Sequence, residues 1–144
     1  AGQSSARVVA VAYADAERSG TLPPRIILEL AHRAGADGVL LDTHTKDGLG
    51  LLRCLSPGAL HTWVLAGRRA GLITALAGEL QVADLAAVRR ATPDVVGVRG
   101  AACEGGREGR VTAERVRALR LQLEDSEGHL GVGETREGGV VLPI

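Results

Sequence analysis

The stretch that decides the fold is Gly38-Val-Leu-Leu-Asp42-Thr-His-Thr-Lys46-Asp-Gly48. Apolar or small residues run without interruption into Asp42, which is typical of a strand buried in a parallel sheet. Polar residues and a glycine follow at once, so the pattern predicts that the strand delivers the Asp42 carboxylate and the Lys46 amine to one edge of the sheet. Lys46 is the only lysine among 17 basic residues. A genome that favours arginine replaces lysine wherever arginine can take its place. A lysine that is retained therefore indicates a role that the permanently charged arginine cannot fill.

The same alternation of strand and helix extends over most of the chain. Continuous apolar runs predict strands, and apolar residues at helical spacing predict the helices between them. Four consecutive βα units require a parallel sheet with right-handed crossovers. The predicted elements are strand 7–12, a helix opened by Pro23 and Pro24 and closed by Gly35, strand 38–42, helix 56–71, strand 72–77, helix 82–91, strand 94–98 and helix 112–121. The first strand is expected to be buried on both faces.

The length of 144 residues fits one domain with a core of its own. We expect residues 1–6 to be a disordered or artificially trimmed start and residues 7–121 to be the α/β domain. Residues 122–144 form a glycine-rich tail, within which residues 140–144 either add a short edge strand or stay loose.

Charge and hydropathy exclude several classes of partner. The net charge is zero and both signs are interspersed, so the sequence has no basic stripe for nucleic acid. No apolar stretch approaches the roughly 20 residues of a membrane span. The two cysteines have no metal-site spacing and make no disulfide framework. The sequence therefore predicts a cytoplasmic protein that binds neither nucleic acid nor membrane.

Polar residues follow the predicted strands at the point where each strand ends. In parallel α/β folds, functional groups gather at these carboxyl ends. Tyr13 and Asp15 follow the first strand, and Asp42 and Lys46 follow the second. A carboxylate beside an amine can support Schiff-base chemistry, in which the carboxylate moves protons during dehydration. The alternative for Asp42 and Lys46 is a salt bridge that only holds the loop.

Glycine turns after the third and fourth strands indicate a phosphate site. Gly78 and Gly100 allow backbone N–H groups to approach an anion, and Arg99 and Arg107 lie close by in sequence. Alternate loop residues such as Asp42, His44 and Asp47 are a poor tetrahedral ligand set. We therefore expect a phosphate-bearing substrate and no metal or other cofactor.

These segments together resemble the (5-formylfuran-3-yl)methyl phosphate synthase family. The resemblance covers about residues 7–121 and lies in the runs Val9-Ala-Val-Ala-Tyr-Ala-Asp15, Gly38-Val-Leu-Leu-Asp-Thr-His-Thr-Lys-Asp-Gly48, Leu76-Ala-Gly78 and Asp94-Val-Val-Gly-Val-Arg-Gly-Ala-Ala-Cys103.

The resemblance implies a (β/α)₈ barrel similar to class I aldolases. It also implies a lyase that condenses two molecules of glyceraldehyde 3-phosphate into a furan aldehyde phosphate, a precursor of methanofuran. The acid and the lysine of the family's Asp-Thr-x-x-Lys-Asp-Gly motif fall on Asp42 and Lys46. The family's glycine turns after its last strands align with Gly78 and Gly100, where the phosphate of the substrate is expected to bind. Tyr13 and Asp15 are expected to line the pocket.

The chain matches only the carboxyl-terminal half of such a barrel, because four βα units are present instead of eight. The first half of the family carries a further lysine in an Asp-x-Lys motif, which this sequence lacks. A half-barrel exposes its inner face and both edge strands, so we expect a homodimer or a separate amino-terminal half-barrel subunit.

Two alternatives to this interpretation stay open. The chain could be a non-catalytic, sugar-phosphate-binding half-barrel that serves assembly or regulation. Structurally, the four strands could flatten into a small open sandwich in which the tail covers one edge.

Overall fold

The computed structural model describes residues 6–124 and 140–143. The strands are β1 Val9–Tyr13, β2 Gly38–Asp42, β3 Ile73–Leu76, β4 Val95–Val98, β5 Cys103–Glu104, β6 Arg110–Val111 and β7 Val140–Pro143. Five of them form a parallel sheet with the order β1-β2-β3-β4-β7, and β5 and β6 form a two-stranded antiparallel hairpin after β4. The helices are α1 Ala16–Ser19, α2 Pro24–Ala34, α3 Leu51–Cys54, α4 Pro57–Arg69, α5 Leu85–Ala91 and α6 Ala113–Glu124, with 3₁₀ turns at Val82–Asp84 and Gly100–Ala102.

The predicted parallel sheet of consecutive βα units is confirmed for β1 to β4. Each strand pairs with the next one along the chain, from Val9 opposite Gly38 to Tyr13 opposite Asp42 in the first pair. Local signals set the helix boundaries between them. The Ser56 hydroxyl caps α4 by accepting a hydrogen bond from Ala59 N at 3.2 Å, and Gly35 ends α2 in the left-handed conformation.

The helices pack against one face of the sheet. In β3, alternate residues are buried on that face, where Thr74 and Leu76 lie, and the residues between them are more exposed. The sheet contributes the following residues to the core: Ala12, Val39, Leu41, Leu76, Val96 and Val98. Helices and the adjoining segments add Leu28, Ala31, Leu51, Leu60, Trp63, Val64, Leu85, Val88 and Leu119.

The expectation that the first strand is buried on both faces is wrong. Val9 and Val11 are 45% and 42% exposed, while Ala12 is 1% exposed. The physical reason is that β1 lies at the edge of a sheet that carries helices on one face only. The described chain therefore buries one face of β1, although the residues on both faces are apolar.

The tail adds a strand, which is one of the two outcomes left open for it. Val140–Pro143 pairs in parallel with β4, with Val95 opposite Val140 and Val98 opposite Pro143. The tail thus covers one edge of the sheet. The expectations for residues 1–5, for residues 125–139 and for Ile144 lie outside the described residues. Within the described part of the chain, no helix is long and apolar enough to cross a membrane.

Helix α4 approaches the sheet most closely at Gly67. A Cβ atom placed there would lie 2.6 Å from Thr74 Cγ2 and 3.5 Å from Val39 Cγ2. Thr74 cannot simply rotate away, because its hydroxyl donates a 2.8 Å hydrogen bond to Asp94 Oδ2. The same carboxylate oxygen accepts the Thr74 N–H at 2.9 Å. The absence of a side chain at Gly67 is therefore a packing requirement.

Replacement of Gly67 by Ala is expected to lower the free energy of unfolding by about 1–3 kcal/mol, as overpacking does elsewhere. Gly58 in the same helix has open space around its Cβ position. Gly58→Ala is the matched control and should be neutral or mildly stabilising, because alanine favours helix. Urea denaturation of both variants measures the difference. Equal effects of the two substitutions would show that α4 is not held close to Thr74.

Candidate active site

The loop after β2, residues 43–50, carries Lys46 back over the end of its own strand. The Lys46 ammonium lies 2.8 Å from Asp42 Oδ1 and donates hydrogen bonds to the Thr43 carbonyl and, at 3.3 Å, to the Thr43 hydroxyl. Asp42 Oδ1 also accepts the Thr43 N–H at 2.7 Å. The Lys46 and Asp42 side chains are 28% and 18% exposed. The acid and the amine therefore form one partly buried pair that solvent can reach.

Asp15, from the loop after β1, holds the Lys46 loop from one side. Its two carboxylate oxygens accept the backbone N–H groups of His44 and Thr45 at 2.7 and 2.9 Å. Burial by itself raises the pKa of the Asp15 carboxyl, but the hydrogen bonds from His44 and Thr45 outweigh it and lower the pKa from 3.8 to about 2. Asp15 is thus a buried anion that fixes the backbone of His44 and Thr45, the two residues before Lys46.

The loop after β3 holds the same segment from the other side. Glu79 Oε2 accepts the Gly48 N–H at 3.2 Å, and the Gly78 carbonyl accepts the Leu51 N–H at 2.9 Å. Gly78 and Glu79 both have positive φ, at 114° and 48°. A Cβ atom at Gly78 would lie 3.0 Å from Thr43 N. This close approach, with a φ that favours glycine, explains the residue type at Gly78 in structural terms.

Tyr13 lies beside the Asp42–Lys46 pair. It is opposite Asp42 in the register of β1 and β2. Its ring makes an edge-to-face contact with His44, with the ring centroids 5.1 Å apart. The structure thus brings Tyr13, Asp15, Gly78, Asp42 and Lys46 to one part of the sheet edge. Their roles in binding or catalysis stay predictions.

Arg99, Gly100 and Arg107 form a second group at the end of β4. A Cβ atom at Gly100 would lie 3.6 Å from Arg107 N, so the turn and the hairpin loop touch. Both arginines are exposed. Among the residues that the structure describes, neither guanidinium makes a hydrogen bond or an ion pair, which leaves both cations available to an anion.

Sequence reasoning missed the supporting contacts of the site. Thr43, His44 and Glu79 all lie in the strand-end segments, yet no pattern distinguishes them as partners of Lys46, Tyr13 and Gly48. Arg18 and Asp47 form an ion pair at 2.5 Å that also ties the Lys46 loop to α1. In the described ranges, no three His, Cys, Asp or Glu side chains converge as metal ligands would.

A groove of about 710 Å³ opens beside this loop, between α1, the turn before α2 and α3. It is lined by Asp15, Arg18, Pro24, Arg53 and Cys54, among others, and not by Asp42 or Lys46. Burial raises the pKa of the Cys54 thiol, so this cysteine is a poor nucleophile at neutral pH. The groove is therefore separate from the acid–amine pair.

Substitution of Asp15 by Asn is expected to lower the free energy of unfolding at pH 7 by about 2 kcal/mol, the worth of a pKa held about two units below its usual value. The stabilisation by Asp15 is complete above the unfolded pKa and disappears as the pH falls through about 4 to about 2. The variant should therefore show a flatter pH dependence in that window. Denaturation at a series of pH values measures both effects.

The matched control is Glu108→Gln, which removes an exposed carboxylate from the loop between β5 and β6. It should leave the pH dependence unchanged, because exposed charges contribute little. An Asp15→Asn variant with the stability and pH profile of the parent would contradict the role of this carboxylate as an anchor.

Comparison of the sequence with known proteins places the chain in a family. The sequence profile of 4-HFC-P synthase matches residues 1–120. The chain is 43% identical over 124 residues to the (5-formylfuran-3-yl)methyl phosphate synthase of Methanothermobacter thermautotrophicus, covering 85% of this chain and 52% of the relative. It is 44% identical over 119 residues to the enzyme of the same name from Methanopyrus kandleri, covering 81% of this chain and 50% of the relative.

The matches cover most of this chain but only about half of each relative, so the chain spans about half the length of the curated relatives it matches. The resemblance seen in the strand-end motifs thus agrees with the profile and with the relatives, all of which cover the segment that holds Asp42 and Lys46. The chain belongs to the 4-HFC-P synthase family.

Proposed function

We propose that this chain is the carboxyl-terminal half of a (5-formylfuran-3-yl)methyl phosphate synthase, an aldolase-like lyase that condenses two molecules of glyceraldehyde 3-phosphate for methanofuran-type cofactor biosynthesis. The observation that carries the proposal is the Lys46–Asp42 pair, 2.8 Å apart, on a loop anchored at the carboxyl edge of a parallel sheet. The free thiols of Cys54 and Cys103 fit a reducing, cytoplasmic compartment.

The winding of the sheet supports the half-barrel part of the proposal. Strands β1 to β4 add in sequence order, and the helices between them pack on one face. A sheet that grows in one direction with its crossovers on one side is the repeating unit of a (β/α)₈ barrel, whereas doubly wound sheets reverse direction. The part of the relatives that this chain does not cover, about half of their length, is long enough for the other four βα units of a barrel.

The chemistry of the proposed reaction explains the residue types at the site. Two triose phosphates carry two phosphoryl groups and the product carries one, so one phosphate and two molecules of water must leave. An amine that attacks a carbonyl forms a Schiff base with loss of water, and a neighbouring carboxylate can transfer the protons. We propose that Asp42 moves protons and that Lys46 supplies either the amine or a cation directed at substrate phosphate.

The second group of residues fits the phosphoryl groups of this substrate. Arg99 and Arg107 are exposed cations beside the Gly100 turn, and the Gly78 turn follows the neighbouring strand β3. We propose that the turns bind phosphate with these two guanidinium groups, while Tyr13 and Asp15 line the pocket. No cofactor is required for the proposed steps.

The second candidate function is a non-catalytic, sugar-phosphate-binding half-barrel for assembly or regulation. The observation that favours it is that the chain covers half of its relatives and lacks the Asp-x-Lys motif of the first half. The same anion-binding turns would then hold a ligand without turnover.

Incubation with glyceraldehyde 3-phosphate tests the proposal, with the furan product followed by its absorbance. The assay uses this chain alone and this chain mixed with the part of the Methanothermobacter thermautotrophicus relative that it does not cover. Activity is expected in the mixture. Lys46→Arg should reduce it by about a hundredfold or more, because arginine keeps the charge but cannot serve as a nucleophile or proton donor. Asp42→Asn should lose activity to a similar degree, since amide groups do not transfer protons.

The control is Arg33→Gln, which removes an exposed cation from the last turn of α2, at the end of the helix that leads to the start of β2 and not to the carboxyl ends of the strands. Full activity of the Lys46→Arg variant would disprove the role of the amine. Borohydride reduction in the presence of substrate, followed by peptide mapping, shows whether Lys46 itself forms the Schiff base. Phosphate-ester binding without turnover in any mixture would favour the non-catalytic alternative.

A further inference from the structure

The outer edge of β1 is open to a further strand. Val8 O accepts the Gly38 N–H at 3.3 Å and Ala14 N donates to Asp42 O at 2.8 Å, so the even-numbered residues bond to β2. Backbone groups alternate in direction along a strand, and those of Val9, Val11 and Tyr13 therefore point away from β2. No strand of the described chain pairs with this side of β1.

Two features make this edge ready to pair. Val9 and Val11 are exposed and apolar, and the strand contains no proline, lysine or bulge that would protect an edge. The face of the sheet without helices continues the same apolar surface, since Leu40, Ile73, Ala75 and Val95 are only partly buried. A partner that adds a strand to β1 would also cover this face.

The opposite edge of the sheet is different, because β7 already occupies it. Four residue pairs join β7 to β4, in the same parallel sense as all the other pairs. Helix α6 lies between the two strands in the chain and contacts β7, and β7 takes the position next to β4 in the sheet. Pro143 at the end of β7 has no N–H group, which suits a terminal strand and limits the strength of the ladder.

A closed barrel has no edges, so a complementary half must pair with both sides of this sheet. One seam would form at β1 and the other at β4. The second seam needs the position in which β7 lies. The two edges of this half are therefore unequal: one is free and the other is occupied by the chain's own tail.

We infer that β7 competes with the complementary half of the family fold for the edge of β4, so that the partner first adds a strand in parallel to β1 and closure then displaces β7. The inference rests on the proposed function, since it takes the half-barrel as its starting point. The expected partner is a half-barrel of βα units that has an unpaired parallel strand at each edge of its sheet and an apolar inner face. The relatives supply its size, since this chain covers about half of their length.

A disulfide between β4 and β7 tests the competition. Val95 and Val140 are opposite each other in the register, and neighbouring strands lie about 4.8 Å apart, within the separation that a disulfide spans. A variant with Val95→Cys and Val140→Cys locks β7 when oxidised and frees it when reduced. The probe is the uncovered part of the Methanothermobacter thermautotrophicus relative, produced as a separate chain, and titration calorimetry gives its Kd.

The expected result is binding that is at least about tenfold weaker in the oxidised than in the reduced variant, because locking β7 removes the competent state. The single variant Val95→Cys is the control and should bind equally under both conditions. Equal Kd values for the oxidised and reduced double variant would overturn the competition while leaving the half-barrel intact. Absence of binding in both states would overturn the proposed assembly itself.

Hydrogen exchange on the unmodified chain gives an independent reading. On addition of the probe, amides of β1 should exchange more slowly and amides of β7 should exchange faster. Slower exchange of β7 would contradict its displacement. Doubling of the mass of this chain without the probe, measured by light scattering, would show a second copy as the occupant and would overturn the assignment of the partner.

Discussion

The buried Asp15 carboxylate is the contact on which the arrangement of the site depends. It joins the loop after β1 to the loop after β2 by accepting two backbone N–H groups, and it does so with little exposure to water. Loss of either partner would leave a charge or two amide groups buried without hydrogen bonds, which is costly. Lys46 takes its place over Asp42 because the backbone just before it is fixed in this way.

The direction of winding is the second constraint, and it acts on the whole chain. Right-handed crossovers in a sheet that always grows to the same side leave one face without helices. The sequence nevertheless places valine and other apolar residues on that face, as Val9 and Val11 show. The described chain therefore leaves more apolar surface exposed on this face than on the face that packs against the helices.

The sequence was informative about elements whose signals are local. Apolar runs bounded by glycine and proline predicted the four strands and their helices, and the strand-end rule placed Tyr13, Asp42 and Lys46 at one edge. Contacts between distant segments could not be predicted. Asp15 binds amides 29 and 30 residues away, and nothing in the sequence specifies that register. The exposure of β1 and the pairing of Val140–Pro143 likewise depend on which surfaces the tertiary structure leaves open.

The isolation of Lys46 has a practical consequence for studying the site. Because it is the only lysine, any reagent that acylates side-chain amines labels this loop and no other side chain. Its ammonium is tied to Asp42 and to Thr43, so the labelling rate reports how often these hydrogen bonds open. Acylation also modifies the α-amino group of the chain, so peptide mapping is used to read Lys46 separately. The label then reports on this loop without an engineered residue, and its rate can be followed as a phosphate ester or a second protein chain is added.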